Sequence, residues 1–381
     1  MQEPEIRIVH GADFHLGGTD IDQNEESRRR HFIAFSRLVS WVIEQRIQIL
    51  LIAGDFIEVA SITEDEILEV RDSLQTLSDA DVKVFIVGGN HDPFVSRSPY
   101  RRKNFWPKHV YFFDGPKTLY IEKLNLAITG HSFTKSRQEV GLWPELVETY
   151  QRSAESQMIT DQTLSVALLH GQLGEGGESN NNYLEKDEVL AGPFDYVALG
   201  HVHGNPPQLV EQDGVRCAYP GPIQGTSYAD AGARGVLYLR YRGKSLEEEV
   251  FLSLAPYLYE IVEISLNRED DVLAKIDASL DTKHEEGNAY ALRLTLLGEV
   301  KQPISEREIL TALGSRYQEV ELIDRTISGV DHEALRDEKG IAGVFYRDIQ
   351  KQRGLASHSK RRIYDQALRY GLEALGKERK D

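Results

Sequence analysis

Over the first two hundred positions, short apolar runs each end on a small cluster of aspartate, asparagine or histidine. Ile6, Ile8 and Val9 lead into Asp13 and His15, and "IQILLIAGDF" ends at Gly54-Asp55. "VKVFIVGGNHDP" ends at Asn90, His91 and Asp92, "LSVALLHGQ" at His170, and "FDYVALGHVHG" at His201 and His203. A near-continuous run such as "IQILLIA" is the pattern of a strand covered on both faces, unlike the alternation of a half-exposed one. Between the first runs, Phe32, Phe35, Val39 and Val42 recur at helical spacing, and Glu64 to Leu77 reads as a second helix. Strands alternating with helices predict a layered α/β core with parallel strands. Ligands of such sheets sit beyond the carboxyl ends of the strands, so the five terminal clusters converge if the strands are neighbours.

From about residue 256 the pattern changes. "LYEIVEISL", a polar helix-like stretch from Arg268 to Leu280, and "AYALRLTLLGEV" predict a small separate α+β domain. The last fifty residues carry no strand signal, and "RRIYDQALRYGLEAL" puts Tyr364, Leu368, Leu372 and Leu375 on one helical face. That face lies in a basic setting of Lys360, Arg361, Arg362, Arg369 and Lys377 and suits either its own domain or a partner helix. The expected organisation is a core over 1–255, a small domain over 256–330 and a helical region over 331–381. The polar "GEGGESNNN" at 174–182 predicts a mobile loop.

Composition narrows the class. With 40% hydrophobic and 28% charged residues, the 381-residue chain reads as an ordinary globular protein. No run approaches the roughly 18 apolar residues of a membrane span, and "MQEPEIRIVHGADF" lacks the basic start and apolar core of a signal peptide. A cytoplasmic location is expected. The single cysteine, Cys217, excludes an internal disulfide and a thiolate metal cluster. A net charge of −17 argues against a strong grip on nucleic acid by this chain alone.

The chemistry lies in the terminal clusters. A lone H-x-H is as readily a surface loop, but residues i and i+2 of an extended segment point the same way, so His201 and His203 can reach a common point. Five strand ends together offer two carboxylates, several imidazoles and an amide. Hard oxygen plus imidazole nitrogen suits manganese, iron or zinc. The set exceeds one ion's needs and fits a pair of ions about 3.5–4 Å apart sharing a carboxylate, the arrangement that hydrolyses phosphoesters.

The ordered motifs "GADFHLGG", "AGDF", "GGNHDP", "LLHG" and "LGHVHG" resemble those of the calcineurin-like metallophosphoesterase superfamily. "HGADFHLG" and "DYVALGHVH" followed by "CAYPGPIQGTSYADAGARG" are similar to the SbcD-type DNA double-strand-break-repair nuclease subunits, nearest the bacterial YhaO-like members. The resemblance implies a two-sheet sandwich flanked by helices, with a small α+β capping domain and a helical C-terminal tail. It makes Asp13, His15, Asp55 and His203 ligands of one divalent ion, and Asp55 (bridging), Asn90, His170 and His201 ligands of the other, with manganese expected at both. His91 would stabilise the transition state or protonate the leaving oxygen, oriented by Asp92. It further implies 3′-to-5′ exonuclease activity on duplex ends, endonuclease activity on single strands, homodimerisation through core helices and a coiled-coil ABC-type ATPase partner. Such a partner would supply the grip on DNA that the −17 charge denies this chain.

Two positions depart from the family pattern. Glu58 stands three residues past Asp55, where the nuclease branch commonly has Asp or His, and is expected beside the ligands, while His10 is expected to be buried, either structural or beside the ligands, and not a ligand itself. Thr226 stands where the YhaO-like members tend to have arginine. In "SRSPYRRKNFW", Arg97, Arg101, Arg102 and Lys103 follow the Asn90–Asp92 turn and form a candidate phosphate-contacting surface. Two other readings compete: a general or cyclic-nucleotide phosphodiesterase on the same metals, and a metal-binding scaffold that regulates the ATPase. Protein phosphatases of the superfamily usually read G-D-x-V-D-R-G and G-N-H-E, and neither occurs here.

Overall fold

The computed structural model describes residues 3–375 apart from 20–23, 157–158, 175–180, 205–206, 213, 281–283, 303 and 329–331. Most of the loop predicted at 174–182, and Lys377, lie outside the described residues. The chain divides into two compact units, Met1–Leu258 and Tyr259–Asp381. No helix among the described residues is long and apolar enough to cross a membrane.

The first unit opens with β1 (Glu5–Gly11), α1 (Glu25–Glu44), β2 (Ile49–Ala53), α2 (Glu64–Asp79), β3 (Lys83–Val87) and β4 (Val110–Phe112). It continues through β5 (Lys117–Ile121), β6 (Leu126–Gly130), α3 (Trp143–Ser156), β7 (Leu164–His170), β8 (Gln172–Gly174), β9 (Tyr183–Glu185) and α4 (Lys186–Leu190). It ends with β10 (Tyr196–Gly200), β11 (Gln208–Gln212), β12 (Val215–Tyr219), β13 (Gly235–Arg242) and β14 (Ser245–Ser253). Two six-stranded sheets result, ordered β14-β13-β1-β2-β3-β4 and β11-β12-β10-β7-β6-β5. β1 to β4 run parallel in one, and β6, β7, β10 and β12 run parallel in the other.

The unbroken apolar runs follow from this stacking. All five residues of β2 are buried. Leu50 and Ile52 pack with Phe35, Leu38 and Val42 of α1 and with Val70 and Leu74 of α2. Ile49, Leu51 and Ala53 face the other way, into a core shared with Ile128, Val166, Leu168 and Ala198 of the second sheet. That sheet turns Leu169, Val197 and Leu199 toward Leu146 and Tyr150 of α3 and Val189 of α4. Each such side chain contributes about 1.5–3 kcal/mol on burial. The layers are therefore helix, sheet, sheet, helix, as the resemblance implies.

The second unit contains all but the first two residues of β15 (Tyr257–Leu266), then α5 (Val272–Ser279), β16 (Ala289–Val300), α6 (Glu306–Leu313), β17 (Glu319–Ser328), α7 (His332–Asp337), α8 (Ile341–Leu355) and α9 (His358–Ala374). Its strands form a sheet ordered β15-β16-β17. Helix α5 starts four residues later than the pattern suggests, because Asp271 acts as N-cap and accepts the Ala274 N–H at 3.0 Å.

Candidate metal centre

The site lies where the carboxyl ends of β1, β2 and β3 meet those of β7 and β10. Backbone bonds knit the loops together: Asp13 N–H donates to Gly54 O (3.1 Å), His15 N–H to Asp55 O (2.9 Å) and Gly171 N–H to Gly200 O (3.1 Å). The loops turn so sharply that Asp13, His15, Asp55 and His201 all have positive φ, at 53°, 45°, 49° and 103°. These are four of the nine such non-glycine residues among the described ones. Left-handed backbone of this kind is costly and gathers where function over-determines the conformation. Gly89 makes a close approach possible, since a Cβ there would lie 2.3 Å from Asp55 Oδ1 and 2.8 Å from the His170 ring.

Asp13, Asp55 and His170 form the buried floor. His170 Nδ1 donates to Ala53 O (2.9 Å), which leaves Nε2 facing Asp55 Oδ2 at 3.2 Å and Asn90 Oδ1 at 3.1 Å. Burial opposes charge on the His170 ring, but the Asp55 carboxylate outweighs it and lifts the pKa to about 9. Burial likewise opposes ionisation of Asp55, and the imidazoles of His170, His15 and His91 hold its carboxyl far below the usual range. The convergence offers donor atoms for a cation. Three groups bring their donor atoms within 4.8 Å of one another: Asp13–His15–His203, His15–Asp55–His91 and Asp13–Asp55–His170. His15 Nδ1 is buried without a hydrogen bond, 3.8 Å from Glu58 Oε2. An orphaned imidazole nitrogen and two buried carboxylates suit a divalent ion, and Asp55 belongs to two of the three groups.

His201 and His203 diverge. At φ 103° His201 is not extended, so the rule that i and i+2 share a direction does not apply. His203 joins Asp13 and His15, whereas the His201 ring stands 5.2 Å from that of His170 and outside the three groups. The His201 backbone N–H donates to both Asp13 carboxylate oxygens, at 3.0 and 3.1 Å.

The sequence expectation that Asp92 orients His91 is corrected by the structure. Asp92 is fully buried and faces inward, accepting from Asp55 N–H (3.1 Å), Gly89 N–H (2.6 Å), Phe56 N–H (2.8 Å) and Tyr100 OH (2.5 Å). Its carboxylate thus braces the backbone of the Asp55 and Gly89 loops. Asp92→Ala should therefore cost about 3 kcal/mol or more of folding stability, by stranding these buried donors. Urea unfolding checks this; unchanged stability with lost hydrolysis would restore Asp92 to catalysis.

Glu58 takes the place beside the His91 ring. Its Oε2 lies 2.5 Å from His91 Nδ1, while His91 N–H donates to Asp55 Oδ1 at 2.8 Å. The Glu58 backbone is itself pinned, since its N–H donates to Leu16 O (2.8 Å) and its carbonyl accepts from Ile62 N–H (2.9 Å). The hydrogen bond to Glu58 raises the His91 pKa to about 9. Burial opposes ionisation of Glu58, but the neighbouring His15 and His91 imidazoles bring it down to about 2. The His91 and His203 side chains are each 40% exposed and form the mouth above the buried floor.

Asp230 gave no sequence signal. Its Oδ1 lies 3.5 Å from His203 Nδ1, and its Oδ2 accepts from the backbone and hydroxyl of Thr226, both at 3.1 Å. Buried Arg234 clamps the same loop, donating to Gly204 O (3.0 Å) and Asp230 O (2.8 Å). Carboxylates that orient ligand imidazoles tune metal affinity. Asp230→Asn should weaken divalent-ion binding by about 10- to 100-fold in a calorimetric titration; unchanged affinity would show that His203 needs no such support.

His10 is a core residue, bonded through Nδ1 to Tyr196 OH (2.9 Å) and pushed down to about 3 by burial. In the basic segment, Arg102 pairs with Glu64 (2.6 and 2.8 Å), and Arg101 lies over Phe94 and donates to Phe94 O and Val95 O. Arg97 and Lys103 are exposed and have no acidic partner among the described residues.

A family model for calcineurin-like phosphoesterases matches residues 6–205. The chain is 24% identical over 363 residues to the DNA double-strand break repair protein Mre11 of Saccharolobus solfataricus, covering 91% of this chain and 90% of that protein. It is 24% identical over 286 residues to the protein of the same name from Methanopyrus kandleri, covering 70% of this chain and 59% of that protein. Among solved structures, TT1561 of Thermus thermophilus matches with a TM-score of 0.40 at 11% identity, covering 66% of this chain and 99% of that one.

Proposed function

The chain belongs to the calcineurin-like phosphoesterase family, and from that premise we propose that it is a metal-dependent DNA nuclease. The observation that carries this reading is the convergence of Asp13, His15, Asp55, His170 and His203 at the meeting of two sheets. The end-to-end similarity to a break-repair protein supports DNA as the substrate class. Asp13, His15, Asp55 and His203 would hold one divalent ion, and Asp55, Asn90, His170 and His201 the other. Donors of oxygen and imidazole nitrogen without thiolate suit manganese, iron or zinc, and manganese is the ion the family resemblance favours. Bound there, the ions supply Lewis acidity, activation of water and charge neutralisation at phosphorus.

The chain's own groups do the rest. Glu58 fixes the His91 ring through Nδ1, so that Nε2 is the nitrogen that hands a proton to the leaving oxygen. Asp92 holds the loops of Asp55 and Gly89 in register. Arg97 and Lys103 are the cations available to DNA phosphates beside this turn. Two such cations in a chain of net charge −17 call for a partner that grips DNA. A coiled-coil ABC-type ATPase fills that role, with 3′-to-5′ exonuclease and single-strand endonuclease as the activities.

One assay tests the reading. The purified chain is incubated with linear duplex, single-stranded DNA and an aryl phosphodiester, with manganese or with chelator. Manganese-dependent loss of DNA is the expected result. Turnover of the small ester alone would point to a general phosphoesterase, and inactivity on all three to a scaffold.

A further inference from the structure

A cavity of about 830 Å³ lies within the C-terminal unit, and none of its lining residues is assigned to the metal centre. Parallel pairing sets Leu297 opposite Arg325 and Glu299 opposite Ile327, which places these four on one face of the β16–β17 ladder. Facing them, Gln350 and Arg353 lie three apart on α8, and Arg361, Asp365 and Leu368 recur at i, i+4 and i+7 on α9. Ile327, Tyr346 and Leu368 share one buried cluster that fixes the helices against the sheet.

The charge on this cavity is lopsided. Five guanidinium and ammonium groups line it, those of Arg268, Lys275, Arg325, Arg353 and Arg361, against the two carboxylates of Glu299 and Asp365. Both carboxylates are committed. Asp365 Oδ1 accepts from Arg353 Nε at 2.6 Å, and Glu299 is bonded to His332, with Arg268 a further 3.6 Å away. His332 is braced from behind by Tyr346 OH at 2.5 Å. Arg325 and Arg361 are exposed and have no acidic partner among the described residues. Two guanidiniums in one concavity without an acidic partner among the described residues, in a chain of net charge −17, mark a place for an anion.

We propose that this cavity binds a nucleoside phosphate. Arg325 and Arg361 take the phosphate oxygens, for which the forked guanidinium geometry is suited. Leu297, Ile327 and Leu368 give the base and sugar an apolar floor, and the amides of Gln350 and Gln366 offer donors and acceptors to the base edge. The volume falls in the class of small-molecule sites, roughly 300–1,000 Å³. Free phosphate would leave the apolar floor bare, and a duplex would need an extended surface for its phosphates.

The test is calorimetric titration of the full chain in excess chelator, with adenosine 5′-diphosphate and with inorganic pyrophosphate. The nucleotide should bind saturably at one per chain, and pyrophosphate more weakly. Arg325→Ala and Arg361→Ala should each weaken the nucleotide by roughly tenfold, whereas Arg361→Lys should recover part of the loss. Asp55→Asn should leave this binding unchanged, and Arg325→Ala should hydrolyse an aryl phosphodiester at the native rate. Thermal melts confirm that each variant is folded. Absence of saturable heat, binding indifferent to both arginines, or binding of a DNA duplex only would overturn the proposal. Equal affinity for pyrophosphate would overturn its nucleoside part.

Discussion

Asp55→Asn should lower metal-dependent phosphodiester hydrolysis by about 10³-fold or more, a loss of about 4 kcal/mol of transition-state stabilisation. It should also reduce the divalent ions retained per chain from two to one or none. The substitution keeps the shape of the side chain and an oxygen able to accept the His91 N–H, now 2.8 Å from Oδ1. It removes the negative charge and the second anionic oxygen, which lies 3.2 Å from His170 Nε2. Asp55 is the residue common to the Asp13–His170 and His15–His91 groupings, so its loss disturbs both. A second consequence concerns the metal-free protein. The Asp55 charge holds the His170 pKa at about 9 against burial, so the asparagine variant should release that proton at lower pH. Elemental analysis of metal content and turnover of an aryl phosphodiester check the first claim, and NMR titration of His170 in chelator checks the second. Two ions retained at full turnover would remove Asp55 from the bridging position.

The side chains that gather at the candidate metal centre were legible because strand ends advertise themselves. A strand buried on both faces must be apolar along its length, so the first polar residues after it stand out, as after Ile49–Ala53 and Leu164–His170. What stayed hidden depended on which distant segment returns to the site. Asp230 follows no apolar run and sits on a short 3₁₀ turn, yet folding sets it 3.5 Å from His203. Asp92 adjoins His91 in sequence, but on so tight a turn neighbours point apart, and Glu58 from 33 positions earlier takes the ring. Arg102 read as a phosphate contact because nothing local revealed Glu64 across from it. The strand Glu319–Ser328 escaped notice because its mix of charged and apolar residues lacks the clean alternation of a half-buried strand. Register in these cases is a tertiary fact, set by packing and not by local pattern.

His91→Ala should reduce turnover of DNA and of alkyl phosphodiesters by about 10²- to 10⁴-fold, the range of a lost general acid, while both ions remain bound. The leaving group separates this role from that of a ligand. An alkoxide leaves poorly without a proton, whereas a nitrophenolate needs none, so the nitrophenyl ester should lose far less. The donor atoms of His91 also fall within 4.8 Å of those of His15 and Asp55, which makes the distinction consequential. If His91 held an ion, its removal would depress all leaving groups alike and lower the metal content. Glu58→Gln supplies the intermediate case. It keeps an oxygen near His91 Nδ1 but removes the charge that fixes the ring and favours its protonated form, for an expected loss of about 10- to 100-fold. A graded response, steep for alkyl esters and shallow for nitrophenyl esters in both variants, follows only if the Glu58–His91 pair works on the leaving oxygen.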